Sequence, residues 1–251
     1  MIIFITGATS GFGKAMVLKF INFGHKVIAT GRRENLLKEL SQEIPLEFKN
    51  NLHTIKLDVT KKKDVEMAIA HLPIEFSQIE VLVNNAGLAL GIDVAQKALI
   101  EDWDTMIQTN INGVLNCTHC VLPKMVAKNS GHIINIGSVA GEFPYPGGNV
   151  YGATKAFTHQ FTLNLKADLL GTNVRVTSIE PGMCQTQFSE VRFRGDKEKA
   201  QAVYQGMEAL SANDIAEVVD WVISRPAHIN INVISLMPTQ QAFGSFAVSR
   251  K

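Results

Sequence analysis

The chain has 251 residues, a length at which one α/β domain with a sizeable core is the default expectation. Hydrophobic residues make up 46% of the chain and charged residues 19%, which excludes a disordered or collagen-like protein. Lysine and arginine together number 24, against 23 aspartates and glutamates, so the chain lacks the basic excess that nucleic-acid binding requires. No nucleic acid is expected as a partner.

The three cysteines, Cys117, Cys120 and Cys184, are too few and odd in number for a disulfide framework, which favours a reducing, cytoplasmic location. Cys117 and Cys120 form a CxxC pair inside a helical pattern, whereas redox pairs lie at helix N-termini, so we interpret them as inert helix residues. No metal site is expected, because Cys184 has no partner at metal-binding spacing. The N-terminal apolar run is too short for a signal peptide or a membrane span.

Short β-branched runs alternate along the chain with segments whose apolar residues recur at helical spacing. This pattern predicts strands at 2–6, 26–30, 54–59, 81–84, 132–138, 174–180 and 232–236, and helices at 13–23, 34–43, 62–71, 102–128, 151–170 and 214–224. The predicted fold class is α/β, a single-domain Rossmann fold over residues 1–251 with a doubly wound parallel sheet of about seven strands flanked by helices. Segment 181–200 is too long for an ordinary connection and is predicted to be a lid.

The first predicted strand runs directly into the sequence TGATSGFG and then into a helix. Three glycines alone would also suit an ordinary turn, but glycines between a strand and a helix let the backbone approach a pyrophosphate at the positive helix N-terminus. The candidate cofactor residues in this loop are Gly7, Ala8, Thr9, Ser10, Gly11, Phe12 and Gly13.

The second predicted strand ends at Arg32 and Arg33, where NAD-selective sites place an acidic residue. Two guanidinium groups suit a 2′-phosphate, which predicts NADP, although a solvated arginine pair at a helix start is the alternative. Asp58 and Val59 follow the third strand and Asn85, in NNAG, follows the fourth, so these are further cofactor candidates.

Ser138 lies at the end of the fifth predicted strand, and Tyr151 and Lys155 follow it on a predicted helix. Tyr151 and Lys155 are four residues apart and share one helix face, where the Lys155 ammonium is expected to lower the Tyr151 pKa toward working pH. Ser138 would hydrogen-bond the reacting oxygen. An isolated YxxxK is commonly structural; the position of this one after a serine-terminated strand favours catalysis.

TGATSGFG, NNAG, Asn110, Ser138, YGATK and EPGMCQT, in this order and spacing, resemble the short-chain dehydrogenase/reductase family across essentially the whole chain. The runs ATGRR, PYPGGNVYGATKAF and VRFRGD resemble the NADP-dependent 3-hydroxy acid dehydrogenases of that family. This resemblance implies a homotetrameric oxidoreductase that transfers a hydride between NADP and the 3-hydroxyl or 3-oxo carbon of a small 3-hydroxy acid, such as serine, allo-threonine or 3-hydroxypropionate.

The resemblance also implies roles for individual residues. It gives Ser138, Tyr151 and Lys155 as the catalytic set, with Asn110 positioning a water beyond Lys155. It adds Tyr151 and Lys155 to the cofactor contacts, together with four residues of a loop over the nicotinamide, Pro181, Gly182, Met183 and Thr186. The family pattern has a slightly longer loop with glycine near Cys184 and Gln185, so this loop is where the chain departs from it.

Two arginines of the predicted lid, Arg192 and Arg194, are candidates to bind a substrate carboxylate, with Arg192 the preferred one. Ser138, Tyr151 and Arg192 thus form the predicted substrate site. Two alternatives remain open. One is a short-chain reductase of a more hydrophobic ketone or a 3-oxoacyl substrate; the other is a non-catalytic NADP-binding sensor built on the same fold.

Overall fold

In the computed structural model, which describes residues 1–244, one sheet of seven parallel strands runs through the molecule. The strands are Ile2–Ile5 (β1), Lys26–Gly31 (β2), Leu52–Lys56 (β3), Val81–Asn84 (β4), Gly131–Ile136 (β5), Val174–Pro181 (β6) and Val233–Leu236 (β7). The helices are Gly11–Asn22 (α1), Glu34–Glu43 (α2), Lys62–Ala70 (α3), Ile100–Ile107 (α4), Gly113–Lys128 (α5), Asn149–Asp168 (α6), Gln187–Arg192 (α7), Lys197–Ala202 (α8) and Ala212–Ile223 (α9). The strand order is β3-β2-β1-β4-β5-β6-β7.

Helices cover both faces of this sheet, which explains why its strands are apolar at consecutive positions. The buried residues of α1, α2 and α9 pack on one face, and those of α3, α5 and the C-terminal half of α6 pack on the other. The predicted single-domain α/β fold with a doubly wound parallel sheet is confirmed.

The third strand begins two residues and ends three residues earlier than its predicted range of 54–59. β2 pairs with β3 from Val27 opposite Leu52 to Gly31 opposite Lys56, so the strand follows its neighbour and ends where β2 ends. The fifth strand ends at Ile136 rather than at 138, although the Gly137 N–H still donates to the Ile179 carbonyl at 2.7 Å. Pairing with the neighbouring strand sets these boundaries. The sequence of a single strand gives no information about that pairing.

The long helix predicted at 102–128 is interrupted. A π-helical turn, Gln108–Asn112, separates α4 from α5. Gly113 follows this turn and packs so closely on Val59 that a Cβ at Gly113 would lie 2.6 Å from Val59 Cγ2. A π-helical turn, which is closed by i→i+5 hydrogen bonds, shifts the phase of the residues after it by only about one position, and the apolar pattern of one segment does not resolve that shift. Widened turns of this kind occur frequently at functional sites.

Segment 181–200 contains two short helices, α7 and α8, and packs on the carboxyl edge of the sheet rather than running as an irregular loop. The CxxC pair lies inside α5 as predicted, and burial raises the pKa of Cys117 to about 12. Among residues 1–244 the structure has no helix that is both long and apolar enough to span a membrane.

Candidate active site

A cleft of about 710 Å³ opens along the carboxyl edge of the sheet. Its volume lies in the range of pockets that hold a cofactor or a small ligand. The cleft extends from the loop after β1 to α7, and most of the predicted site residues line it: Gly7, Thr9, Ser10, Gly11, Phe12, Arg32, Arg33, Asp58, Val59, Asn85, Ser138, Tyr151, Lys155, Pro181, Gly182, Met183, Thr186 and Arg192.

Three predicted site residues lie behind the cleft wall instead: Ala8, Gly13 and Asn110. Ala8 is fully buried in the core beneath the glycine loop. Gly13 lies in the first turn of α1, where a Cβ would overlap the Gly7 carbonyl oxygen. The close packing of loop and helix thus places Ala8 and Gly13 beneath the cleft surface, and their role as cofactor residues stays a prediction.

The N-terminus of α1 faces the cleft. Ser10 occupies the N-cap position, but its side chain does not cap the helix, so the first N–H groups of α1 are free of that cap and can bind an anion. Gly7 has a φ of 66°, and a Cβ there would lie 2.9 Å from the Ala86 Cα. Only glycine combines this left-handed conformation with so close an approach of two backbones. These features fit a bound pyrophosphate.

The adenosine end of the cleft is cationic. The Arg33 Nη2 donates to Thr9 Oγ1 at 2.8 Å and to Ser10 Oγ at 2.9 Å, which holds the guanidinium beside the glycine loop. Arg32 lines the same end. Among the described residues the only carboxylate lining the cleft is that of Asp58, whose Oδ1 accepts hydrogen bonds from Thr60. This charge distribution suits a 2′-phosphate better than a free 2′-hydroxyl.

Asn85 of the NNAG motif braces the glycine loop. Its Nδ2 donates to the carbonyls of Thr6 at 2.8 Å and of Gly7 at 3.1 Å. The Thr6 hydroxyl in turn accepts from the main-chain N–H groups of Asn85 and Ala86, each at 2.9 Å. The motif thus fixes the loop after β1 to the end of β4, in addition to lining the cleft.

Tyr151, Lys155 and Ser138 meet at the other end of the cleft. α6 presents Tyr151 and Lys155 to the cleft one turn apart, and Ser138 follows β5. The Lys155 Nζ donates to the Ile136 carbonyl at 2.7 Å and lies 5.9 Å from the centre of the Tyr151 ring. An ammonium has three donors, so this geometry leaves Lys155 able to bind further hydroxyl groups.

Burial dominates the acid–base properties of this pair. It raises the pKa of Tyr151 to about 12, although the positive charge of Arg192 and the neighbouring Ser138 hydroxyl lower it. Burial also lowers the pKa of Lys155 to about 8. In the chain by itself, the desolvation of a buried phenolate thus outweighs the surrounding charges, and the lowering of the Tyr151 pKa by Lys155 stays a prediction.

Asn110 lies in the π-helical turn and is tied to the main chain. Its Oδ1 accepts from the Leu88 N–H at 2.9 Å, and its Nδ2 donates to the Leu88 carbonyl at 2.8 Å and to Thr154 Oγ1 at 3.1 Å. A Cβ at Gly87 would lie 3.3 Å from Asn110 Oδ1 and 3.5 Å from Lys155 Nζ, so both side chains reach the same glycine. The side chain of Asn110 thus fixes the segment beside Lys155.

Arg192, at the end of α7, lies over an aromatic wall. Its Cζ is 5.0 Å from the centre of the Tyr151 ring and 5.2 Å from that of Phe188. One terminal nitrogen donates to the Tyr145 hydroxyl at 3.0 Å, whereas the buried Nε has no partner. The other terminal nitrogen, Nη1, makes no hydrogen bond to the described residues, so the guanidinium keeps a donor for an anion in the cleft.

Arg194, the other arginine proposed for a substrate carboxylate, points elsewhere. Its Nη2 forms an ion pair with Asp102 Oδ2 at 2.6 Å, and the residue does not line the cleft. The expectation for Arg194 is thus corrected. Two residues later than Arg192, just beyond the end of α7, its side chain reaches α4 instead.

The segment after β6 covers the cleft. Thr186 caps α7, accepting from the Phe188 N–H at 3.2 Å, and its Cβ would lie 3.5 Å from a Cβ at Gly11. The Tyr204 hydroxyl, which donates to the Cys184 carbonyl at 2.8 Å, lies 2.6 Å from the Ser189 hydroxyl. These contacts hold α7 against both the glycine loop and the strand exit.

Known proteins with this sequence pattern are dehydrogenases. The family model for short chain dehydrogenases matches residues 1–198. The chain belongs to the short-chain dehydrogenase family. It is 54% identical to the NADP-dependent 3-hydroxy acid dehydrogenase YdfG of Escherichia coli strain K12, over 100% of both chains. It is 50% identical to the serine 3-dehydrogenase of Agrobacterium fabrum, over 99% of this chain and 98% of the relative.

Solved structures agree with this family membership. The closed form of a serine dehydrogenase complexed with NADP⁺ is 54% identical to this chain, has a TM-score of 0.97, and each chain covers 100% of the other. An Escherichia coli serine dehydrogenase structure has a TM-score of 0.84 at 50% identity, covering 97% of this chain and 100% of that one.

Several residues of the dehydrogenase cleft were not predicted from sequence. Tyr145 lies in the PYPGG run, and Phe188 and Tyr204 follow β6. Gln241 and Phe243 come from the segment after β7, where Gln241 Oε1 accepts from the Met183 N–H at 2.7 Å. These aromatic and amide residues belong to no sequence motif. The cluster of aromatic and arginine residues at 188–194 is the one feature of the sequence that indicates part of this set.

Proposed function

We propose that this short-chain dehydrogenase transfers a hydride between NADP and the 3-hydroxyl carbon of a small 3-hydroxy acid, with serine-like compounds and 3-hydroxypropionate as candidate substrates. The observation that carries the proposal is the meeting of Tyr151, Lys155 and Ser138 with the partly unpaired guanidinium of Arg192 in one cleft. Relatives of similar length that are named as NADP-dependent 3-hydroxy acid and serine dehydrogenases support it.

The cofactor end of the cleft supports NADP. The loop at 7–12 and the N-terminus of α1 would hold the pyrophosphate, and Arg32 and Arg33 would hold the 2′-phosphate. Asp58 and Val59 would flank the adenine. When bound, the nicotinamide supplies the hydride acceptor or donor. The segment of Pro181, Gly182, Met183 and Thr186 would cover the nicotinamide, which is the proposed function of the lid at 181–200.

Each residue at the reactive end has a proposed role. Tyr151 accepts the hydroxyl proton in oxidation and returns it in reduction. Lys155 stabilises the phenolate and has donors free for ribose hydroxyls. Ser138 hydrogen-bonds the reacting oxygen. Asn110 holds the π-helical turn beside Lys155, where a water can connect the ammonium to solvent.

Arg192 is the proposed carboxylate ligand. Its Nε is buried without a partner, and an unpaired donor of this kind is costly unless a ligand completes it. Because guanidinium groups bind carboxylates through paired donors, a 3-hydroxy acid would place its carboxylate on Arg192 and its hydroxyl on Tyr151.

Tyr151→Phe tests the proposed acid–base role. Because only the phenolic oxygen is lost, NADP should still bind, while kcat should fall by about 10² or more. Stopped-flow turnover of 3-hydroxypropionate and fluorescence titration of NADPH binding would measure the two effects. A variant with near-normal turnover would rule out Tyr151 as the base; a wild-type protein that binds NADP but turns over no substrate would instead be the sensor.

A second candidate function is the reduction of a more hydrophobic ketone or 3-oxoacyl compound. Three phenylalanines that line the cleft favour it: Phe188 packs on the Tyr151 ring, and Phe143 packs on Phe243. A panel comparing 3-hydroxypropionate, serine and an aliphatic secondary alcohol would distinguish the candidates. An Arg192→Gln variant should raise KM for the acids at alkaline pH while leaving KM for the uncharged alcohol unchanged.

We further propose that the protein is a homotetramer of the cytoplasm. The exposed apolar side chains of α4 and the partly buried phenylalanines of α6 support oligomerisation, and the three free thiols support a reducing compartment. Thiol counting on protein purified under oxygen without reductant tests the second statement, since a persistent disulfide would contradict it.

A further inference from the structure

The base of this dehydrogenase has two cations beside it, carried by different elements. Lys155 comes from α6, one turn from Tyr151, and its Nζ lies 5.9 Å from the ring centre. Arg192 comes from α7, and its Cζ lies nearer, at 5.0 Å. The other polar groups facing Tyr151 are the hydroxyls of Ser138 and Tyr145, and no carboxylate of the described residues is among them.

The position of Arg192 is fixed by several contacts. Phe188 packs beside the Tyr151 ring and also contacts the guanidinium, with 5.2 Å from Cζ to its ring centre, and Tyr145 accepts a hydrogen bond from Nη2 at 3.0 Å. Its main-chain carbonyl accepts from the Gly91 N–H at 3.0 Å, which anchors the end of α7 to the loop after β4. The guanidinium is therefore held on the face of the Tyr151 ring.

We propose that Arg192 is an electrostatic partner of Tyr151: its guanidinium, stacked on the ring, stabilises the phenolate and thereby sets the pH range in which the base works. This role rests on the proposed function of Tyr151 and is separate from carboxylate binding. A phenolate spreads its negative charge into the ring, so a cation over the ring face favours the ionised form more than the neutral one.

Burial strengthens this effect. Tyr151 and Lys155 are both buried, and charges interact more strongly where water is excluded. Arg192 is also the charge that lowers the Tyr151 pKa most, against the rise that burial causes. Because Arg192 belongs to α7 rather than to α6, the ionisation of the base depends on a segment that packs over the cleft.

The test measures the ionisation of Tyr151 directly. The chain has three tyrosines, so labelling with 3,5-difluorotyrosine, whose phenol is more acidic than that of tyrosine, gives three fluorine resonances that can be titrated. Tyr151→Phe assigns the resonance. Arg192→Gln should raise the pKa of Tyr151 by about 1 to 2, and Arg192→Lys should restore part of the difference.

Arg194→Gln is the matched control, because it removes the same charge from a residue that pairs with Asp102 outside the cleft. Its Tyr151 titration should match that of the wild type. Turnover of the methyl ester of 3-hydroxypropionate, which has no carboxylate, should show the acid limb of the kcat profile moved upward in Arg192→Gln, with kcat about tenfold or more lower below that limb.

A Tyr151 titration that is the same in Arg192→Gln, Arg192→Lys and wild type would overturn the inference while leaving the proposed function intact. A Tyr151→Phe variant that keeps its turnover would instead overturn the proposed function. If Arg192→Gln does not fold, the comparison of Arg192→Lys with wild type decides. The lysine ammonium would lie farther from the ring than the guanidinium, so the Tyr151 pKa should be measurably higher in Arg192→Lys than in wild type.

Discussion

Arg33 is the side chain that we propose selects NADP over NAD. Its guanidinium is held on Thr9 and Ser10 at the end of the cleft, where an NAD-selective site would have an acid. The arginine pair and the absence of an acidic residue can be read from the sequence. The same is true of Ser138, Tyr151 and Lys155 at the reactive end. The sequence does not distinguish Arg192 from Arg194 as the proposed carboxylate ligand, because both lie in the same short segment. The structure distinguishes them, since only Arg192 lines the cleft.

Arg33→Ala should selectively weaken NADP binding. Losing one charged contact to a phosphate costs about 1.5 to 3 kcal/mol, or roughly ten- to a hundredfold in affinity, whereas NAD has no phosphate there to lose. Fluorescence titrations with NADPH and NADH measure both constants. Lys14→Ala is the matched control, since Lys14 pairs with Glu43 at 2.6 Å. Equal weakening of both cofactors would refute the assignment.

His132 should make the fold sensitive to acid. It lies in β5, and burial and then the positive charge of Arg175 lower its pKa to about 3 from 6.5. Because the folded state binds fewer protons than the unfolded state, this contribution to stability is complete above pH 6.5 and is lost as the pH falls toward 3. The loss is on the order of 1.4 kcal/mol for each pH unit.

Chemical denaturation at several pH values, comparing wild type with His132→Gln, measures this effect. The variant lacks the titrating ring but keeps an amide that can reach Thr177, the hydrogen-bond partner of His132 Nε2 at 2.8 Å. The free energy of unfolding should fall less steeply below pH 6.5 in the variant. Parallel curves would show that the pKa of His132 is not lowered in the folded protein.

At the scale of elements, the strands and helices follow from hydrophobic pattern, but their boundaries follow from partners. β3 takes its bounds from pairing with β2, and the π-helical turn depends on the exchange of hydrogen bonds between Asn110 and Leu88. Neither contact is local in sequence. The glycine loop is the opposite case. The spacing of its glycines in the sequence already indicates that α1 packs closely on the loop after β1.

Gly13→Ala tests this approach by the sign of its effect. In an unhindered helix alanine is more favourable than glycine by about 0.5 to 1 kcal/mol. Here a Cβ would overlap the Gly7 carbonyl and lie 2.7 Å from Asn85 Nδ2, so we expect a loss of about 1 to 3 kcal/mol instead. Thermal and chemical unfolding measure the difference. An increase in stability would mean that the loop gives way freely.

At the scale of the whole molecule, apolar side chains remain on the outer surface of the helices. Ile100 and Ile107 of α4 are 58% and 37% exposed, and Phe157 stacks on Phe161 along α6 at 5.5 Å between ring centres. The segments 102–128 and 151–170 are apolar on more than one helical face in the sequence, which predicts this surplus of apolar surface. The sequence does not show which surface of another subunit would cover it.

Light scattering at micromolar concentration should give a mass near four times 27.5 kDa, because the surplus apolar surface is stabilised by burial between subunits. Phe157→Glu should lower the mass, since a carboxylate in such an interface would be desolvated. Leu46→Glu, at an 84% exposed residue of the loop before β3, is the control that should not. A monomer mass for the wild type would contradict the proposed tetramer.

The position of Thr186 beside the glycine loop favours an order of events. A Cβ at Gly11 would lie 3.5 Å from that of Thr186, and the helix that follows Thr186 ends over Tyr151, so the covering segment spans the cleft from the glycine loop to the reactive end. We therefore expect the dinucleotide to enter first and leave last. Steady-state product inhibition should be competitive between NADP⁺ and NADPH and noncompetitive between the hydroxy acid and its oxidised product; random entry would give competition in both pairs.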